Sequence, residues 1–357
     1  MMQASSSVRN NLPIRRQQFI SDNNAGMCPA ALDAVIEANA GAHAMGYGND
    51  EWTAQAVEKL QVLFETNVAV HFVFSGTAAN ALALAQLTQS YNAVIAHAFS
   101  HIEMDEAGAP GFFSGGAKIL TAATKDAKLT VQAVEKLTAE FSGSVHHVKA
   151  SALSLSQSTE FGTVYTVDEI AALCKAAHDN GLKVHMDGAR FANAVASTDA
   201  APADLSWRAG VDILCFGGVK NGLGAGECVL IFDPALNREF EWRVKQAGQL
   251  NSKMRLVSAG WVGLLDNDVW LKNAQHANAM ARLLASKILA VPGIHIMYPV
   301  QANVVFAQLS EPVQTALRGR GWKFYTFLPP DGCRLMCAWD TLPETIEAFI
   351  KDLTDLA

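Results

Sequence analysis

The stretch that decides the fold is DILCFGGVKNGLGAGE, residues 212–227. An apolar run enters two glycines, reaches a single lysine, Lys220, and meets three more glycines before Glu227. A short apolar run bounded by glycines reads as a strand buried on both faces, the kind found in parallel sheets covered by helices. A lysine at such a strand end, with no acidic neighbour in sequence before Glu227, is expected to stand apart from carboxylates. It would then deprotonate readily to attack a carbonyl.

Outward from that stretch, short apolar runs alternate with helical patterns from about residue 50 to 250. Asp50–Phe64 sets Trp52, Ala56, Leu60 and Leu63 on one helical face. Strands are expected at 71–74, 93–98, 117–120, 152–156, 182–186, 211–216 and 227–232, with helices over 77–89 and 129–141. Thr166 and Glu169 occupy capping-box positions, and Gly181 stops the helix that follows them. This alternation predicts an α/β fold with a large, mostly parallel sheet. After Pro234 a mainly helical stretch to about 290 leads into a smaller α+β unit, closed by a helix capped at Thr341 with Pro343 just inside. The expected division is an N-terminal arm (1–30), a large domain (31–255) and a small C-terminal domain (256–357).

Composition narrows the function. Half of the 357 residues are hydrophobic and 17% are charged, which fits a globular enzyme. A net charge of −7 without a dense Lys/Arg cluster excludes nucleic acid as the main partner. Apolar stretches are far shorter than the roughly 20 residues of a membrane helix, so no membrane partner is expected. The first twenty residues lack the apolar core of a secretory signal. The six cysteines (Cys28, Cys174, Cys215, Cys228, Cys333 and Cys337) form no CxxC pair, and Cys333 and Cys337 have no histidine partners. They read as reduced core thiols of a cytoplasmic protein, with no metal site.

In open parallel sheets, ligands bind at the carboxyl ends of the strands. Three segments fall there: Ser75-Gly76-Thr77, Asp187-Gly188-Ala189-Arg190 and Gly217-Gly218-Val219-Lys220. Each has an ordinary reading alone. Ser75 could simply cap a helix, Asp187 likewise, Arg190 could be a surface residue or the ion-pair partner of Asp187, and Lys220 could be a solvated turn lysine. Together they meet the needs of pyridoxal phosphate. That cofactor requires a lysine to hold its aldehyde as a Schiff base and a carboxylate to keep its ring nitrogen protonated. Its phosphate suits the helix-start amides of Gly76, Thr77 and Ala78, and Arg190 would clamp a substrate carboxylate. The glycines beside Lys220 would let the backbone pass close to a flat cofactor.

The segments SGTAANALAL, SHIEMDEAGA, HMDGARFANA and FGGVKNGLGA occur in that order, with Lys220 thirty-three positions after Asp187. In these the chain resembles the beta-eliminating lyases of the aspartate-aminotransferase fold (PLP fold type I), and among them the low-specificity L-threonine aldolases with their phenylserine aldolase branch. The resemblance runs from about Phe19 to the C-terminus. It implies that Lys220 attaches pyridoxal 5′-phosphate, Asp187 pairs with its ring nitrogen, Gly76 and Thr77 hold its phosphate, and His101 stacks on its ring. It further implies that Ser21, Arg190 and Arg334 hold the substrate carboxylate, and that His146 or the adjacent His147 approaches the substrate hydroxyl. A homodimer or homotetramer with the site at the subunit interface is implied too, Lys253 and Arg255 being candidates to reach the neighbour's phosphate.

Two departures stand out. Gly217-Gly218-Val219 replaces the serine that many relatives carry before the lysine, and Ser156-Gln157 stands where many aldolases have Glu-Asn. The expected reaction cleaves L-β-hydroxy-α-amino acids (L-threonine, L-allo-threonine or L-phenylserine) to glycine and an aldehyde, with His101, His146 or a bound water as base. Beta-elimination and transamination remain open as chemistry of the same cofactor. A catalytically silent cofactor-binding protein is a third class, against which the arginines speak. GLGAG (222–226) as a dinucleotide loop is disfavoured, because a strand rather than a helix follows it.

Overall fold

The computed structural model describes residues 17–41, 43–141 and 143–356. Residues 1–16 of the expected arm lie outside the described residues. Seven strands form the large sheet: β1 (Ala69–Val73), β2 (Asn92–His97), β3 (Lys118–Ala122), β4 (Lys149–Ser156), β5 (Lys183–Gly188), β6 (Ile213–Phe216) and β7 (Glu227–Ile231). Their spatial order is β1-β7-β6-β5-β4-β2-β3. The strands from β6 to β3 pair in parallel, whereas β7 is antiparallel to both of its neighbours, β1 and β6. Two reversals restore direction, so β1 runs with β6 and its carboxyl end lies at the same sheet edge. The N-terminal end of β7 lies there as well.

Alternation along β6 shows why the sequence reads as a continuous apolar run. Leu214 and Phe216 enter the core on one face, with Phe191, Trp261 and Trp270. Ile213 and Cys215 enter the core on the other, with Ala79, Leu82 and Phe240. Helices cover both faces, leaving no polar side for the strand. Asp187 and His185 on β5 alternate with the core residues Val184 and Met186. Asp187 therefore meets the helix Gly76–Leu87 on the opposite face through Asn80.

A second, four-stranded sheet, order β10-β11-β9-β8, is built from β8 (His295–Ile296), β9 (Val304–Gln308), β10 (Tyr325–Leu328) and β11 (Gly332–Met336), all antiparallel. Its core holds Trp322, Phe349, Leu335 and also Phe19, which ties the N-terminal segment to this unit. The helix Arg255–Leu265 packs in the large-sheet core through Trp261, Val262 and Leu264. The change of core comes later, within the helix Val269–Ile288: Trp270 and Ala274 belong to the first, Ala281 to Ile288 to the second. A join at 255/256 is thus not where the packing changes.

Local readings hold with small corrections. The helix after Asp50 runs Glu51–Leu63, and the Asp50 carboxylate accepts the Thr53 N–H at 2.9 Å. The Thr166/Glu169 capping box forms. Phe74 lies beyond β1 and is exposed rather than buried. The last helix, Pro343–Thr354, has Leu342 rather than Thr341 at its cap position. The Thr341 hydroxyl is already engaged, accepting the Ala338 N–H at 2.8 Å. Among the described residues no helix is long and apolar enough to cross a membrane.

Candidate active site

Asp187 ends β5 buried. One carboxylate oxygen accepts the Ala189 N–H at 2.9 Å, the other Asn80 Nδ2 at 2.9 Å. Burial pushes this carboxyl up, but His101, the Ala189 amide, Lys220 and His185 together hold it below the ordinary aspartate value. It is therefore a persistent anion in a dry site. Asn80 Nδ2 also donates to Glu106 Oε1 at 2.8 Å, and that oxygen lies 2.8 Å from His101 Nδ1. The hydrogen bond to Glu106 raises the His101 pKa, against the opposing effect of burial. Burial raises that of Glu106, the bonds to His101 and Asn80 notwithstanding.

Asn80 sits four residues after Gly76 on one helix, so the helix start lies about one turn, some 6 Å, from the Asp187 contact. Ser75 caps this helix and its hydroxyl accepts the Ala78 N–H at 3.3 Å. That removes one of the three amides expected to face an anion. The Gly76 and Thr77 amides donate to no acceptor among the described residues, and a Cβ added at Gly76 would meet nothing within 4 Å. Open space before free helix-start amides is a fitting place for a phosphate.

Lys220 occupies a single 3₁₀ turn, Val219–Asn221, between β6 and β7. The glycines before it answer to protein packing rather than to a ligand. A Cβ on Gly217 would lie 2.5 Å from the Ala189 carbonyl oxygen, and one on Gly218 would lie 2.5 Å from Leu223 Cδ1. The lysine turn thus backs directly onto the turn carrying Asp187 and Arg190. Lys220 is not remote from acids either, because folding brings the charges of Asp22, Asp187 and Glu227 around it. Its ammonium nevertheless makes no hydrogen bond or ion pair among the described residues.

Arg190 pairs with neither solvent nor Asp187. Its Nε and Nη2 donate to the Asp22 carboxylate at 2.7 and 2.9 Å, and Asn303 Nδ2 donates to Asp22 at 3.0 Å. Burial opposes the Arg190 charge, but Asp22 outweighs it and raises the pKa. Burial likewise opposes ionisation of Asp22, and Arg190 overcomes it. Arg334, on β11, lies 4.6 Å from the Phe327 ring centroid and 5.4 Å from that of Tyr325. Its Nε is buried without a partner among the described residues, and burial together with Arg190 lowers its pKa. A cavity of about 370 Å³ joins Ser21, His101, Arg190, Lys220 and Arg334, with Glu160, Tyr325 and Phe327 on its wall.

Residues 18–312 match the family model described as beta-eliminating lyase. The chain belongs to the beta-eliminating lyase family. It is 51% identical to the low specificity L-threonine aldolase of Pseudomonas aeruginosa over 337 residues, 94% of this chain and 97% of that protein. It is 48% identical to the low specificity L-threonine aldolase of a Pseudomonas species, strain NCIMB 10558, with the same coverage. Among solved structures it resembles the threonine aldolase of Leishmania major, with a TM-score of 0.89, 31% identity and coverage of 95% of this chain and 98% of that one. A fold match at 15% identity and a TM-score of 0.70 is a structure titled SPT with PLP internal aldimine, covering 96% of this chain and 87% of that one. The fold is thus PLP fold type I.

In this lyase, folding gathers most but not all of the residues expected at the site. His146 and His147 are exposed, in the loop before β4. The site lies at the other end of that eight-residue strand, where Ser156 pairs with Asp187, roughly 26 Å away. Within one chain, neither histidine reaches it. Lys253 is exposed, and Arg255 is half-buried with an unpartnered Nε; neither lines the cavity. The cleft also contains polar residues that the sequence analysis did not single out. Asp22, Asn80 and Glu106 all lie inside the segments QFISDNN, SGTAANALAL and SHIEMDEAGA. For Asn80, a polar residue within the largely apolar run TAANALAL was the available signal; Asp22 and Glu106 stand among other polar residues and carried none. All six cysteines are free and buried.

Proposed function

We infer that this lyase is a pyridoxal-phosphate-dependent aldolase that cleaves L-threonine, L-allo-threonine and β-phenyl analogues to glycine and an aldehyde. The observation that carries this reading is the convergence of Lys220, the ionised Asp187 and Arg190 at one edge of the large sheet, with Arg334 of the second sheet on the same cavity. The relatives that share nearly the whole chain are low specificity L-threonine aldolases. When bound, the cofactor supplies a sink for the electron pair released as the Cα–Cβ bond breaks.

The chain's own residues divide the remaining work. Lys220 is the attachment point, and the Gly76 and Thr77 amides receive the phosphate. Asp187 keeps the ring nitrogen protonated, a task suited to a carboxylate that stays ionised although buried. Ser21, Arg190 and Arg334 take the substrate carboxylate. Asp22 fixes the Arg190 fork before substrate arrives, which removes an ordering cost from binding. His101 would stack on the cofactor ring when it is bound and accept the hydroxyl proton directly or through a water, its Nδ1 oriented by Glu106. Within one chain His146 is out of reach, and among the described residues His101 is the histidine on the cavity wall.

The same reading includes assembly. Among the described residues two free helix-start amides, those of Gly76 and Thr77, would meet the phosphate, and a homodimer or homotetramer would add Lys253 and Arg255 from a neighbour. Mixed inactive variants, one changed at Lys220 and one at Arg255, should then complement each other. The buried free thiols suit a reducing compartment such as the cytoplasm. The reaction itself is tested by product analysis. L-threonine, L-allo-threonine and L-phenylserine should each give glycine and aldehyde, and D-isomers nothing. Ammonia and a keto acid without glycine would place the enzyme among eliminating lyases instead.

A further inference from the structure

Glu227 is a buried carboxylate that the mechanism above does not use. It begins β7, which runs antiparallel to both β1 and β6, so it sits at the edge where the parallel strands end. Its register partner on β1 is Val73, two residues before Ser75. Gly226 donates its N–H to the Phe74 carbonyl at 3.3 Å. On the other side, Glu227 Oε2 accepts the Gly218 N–H and the Val219 N–H, the latter at 3.3 Å. Gly226 and Glu227 therefore clip the lysine turn to the loop that opens the phosphate-facing helix.

The aim of Lys220 depends on that turn, because its ammonium has no partner among the described residues. The turn's other anchors flank the lysine: before it the Gly217 N–H donates to the Gly188 carbonyl at 2.9 Å, and three more bonds lie after it. Asn273 Nδ2 donates to the Asn221 carbonyl at 2.9 Å, Asn221 Nδ2 to the Trp270 carbonyl at 2.7 Å, and Cys28 N–H to the Gly222 carbonyl at 2.8 Å. Before the lysine, Glu227 also takes two consecutive amides that would otherwise lack an acceptor among the described residues. The charged and titratable groups acting on it are Lys220 on the turn, Asp187 at the end of β5, and the thiols of Cys215 and Cys228. Burial raises its pKa to about 7, so it titrates where enzymes work.

We propose that Glu227 is a positioning residue for Lys220, fixing the backbone of the lysine turn against the phosphate loop and setting the charge beside the lysine. The proposal rests on Lys220 being the cofactor attachment point. Glu227→Gln keeps an oxygen for both amides and removes the charge; Glu227→Leu removes both. Cofactor binding to the apoenzyme is followed by visible absorbance across pH 5.5–8.5, with thermal melts recorded alongside. In wild type the absorbance–pH curve should carry an inflection near 7, and Glu227→Gln should abolish it while holding cofactor as tightly as wild type. Glu227→Leu, with two orphaned amides, should bind cofactor at least about tenfold more weakly. If Glu227→Leu does not fold, Glu227→Gln decides alone: a curve superimposable on that of wild type overturns the proposal. The reading it rests on fails differently, by reductive labelling of wild type at a lysine other than Lys220.

Discussion

The Asp22–Arg190 pair is the most consequential contact that folding adds to the candidate site. Its two charge-assisted bonds measure 2.7 and 2.9 Å, and the side chains are 9% and 1% exposed for Arg190 and Asp22. Removing one member of a buried pair leaves an uncompensated charge and costs about 3–5 kcal/mol, against about 0.2–1 kcal/mol for an exposed pair. Asp22→Ala should fall at the upper end, because it leaves Arg190 facing Arg334 with no hydrogen-bonded carboxylate among the described residues, Glu160 and Asp187 acting on it only through their charge. That corresponds to about two to four orders of magnitude in the folding equilibrium. The assay is a double-mutant cycle of Asp22→Ala and Arg190→Ala by urea unfolding of the apoenzyme, with fluorescence and circular dichroism required to coincide. The double variant should be far less destabilised than the two singles combined, giving a coupling of about 3 kcal/mol or more. Asp22 has a lowered pKa, so its contribution is present above pH 3.8 and is lost as pH falls through its lower folded value. A coupling below about 1 kcal/mol at pH 7 would mean that the pair is no more than a surface contact, and the pre-ordered Arg190 fork would fall with it.

Asp187→Asn should retain cofactor, since an amide still hydrogen-bonds the ring nitrogen, yet lose more than about tenfold in kcat, one pKa unit being worth about 1.4 kcal/mol. A variant within twofold of wild type would make Asp187 only a structural cap. Gly217→Ala sets a methyl 2.5 Å from the Ala189 carbonyl oxygen and should cost about 1–3 kcal/mol in a thermal or urea melt; an unchanged midpoint would refute the close approach of the two turns. Glu227 has a raised pKa of about 7, so its stabilising effect is complete below 4.5 and lost as pH rises through 7. The apoenzyme should lose about 3 kcal/mol across that window, a slope that Glu227→Gln removes and that an unchanged slope in the variant would contradict.

Much of the fold was legible because the strands are buried on both faces, which forces uninterrupted apolar runs such as ILCF and leaves glycines at their ends. The reversed β7 was not legible: once a strand is apolar on both sides, its residue pattern carries no direction. For the site, Lys220, Asp187, Gly76 and Arg190 could be found from their places after strands, since the carboxyl edge of a parallel sheet collects whatever follows each strand. Arg334 and Ser21 come from elements far apart in sequence and were reached only through family resemblance. His146 shows the limit in the other direction, because it precedes its strand and so lies at the opposite edge. Asp22 and Asn80 escaped notice because each acts through a partner far along the chain, 168 and 107 residues away, a relation that no local pattern encodes; Glu106 lies only five residues from His101 but is one acid among several in SHIEMDEAGA.

The central claim is that Lys220, at the end of β6 and beside Asp187, holds the cofactor. Holoenzyme reduced with borohydride, digested and mapped by mass spectrometry tests it most directly. The pyridoxyl mass should fall on the peptide containing FGGVKNGLGAGE, at Lys220, and Lys220→Ala should abolish the label and the visible absorbance near 420 nm. Label on any other lysine, or undiminished covalent labelling in Lys220→Ala, would contradict the account.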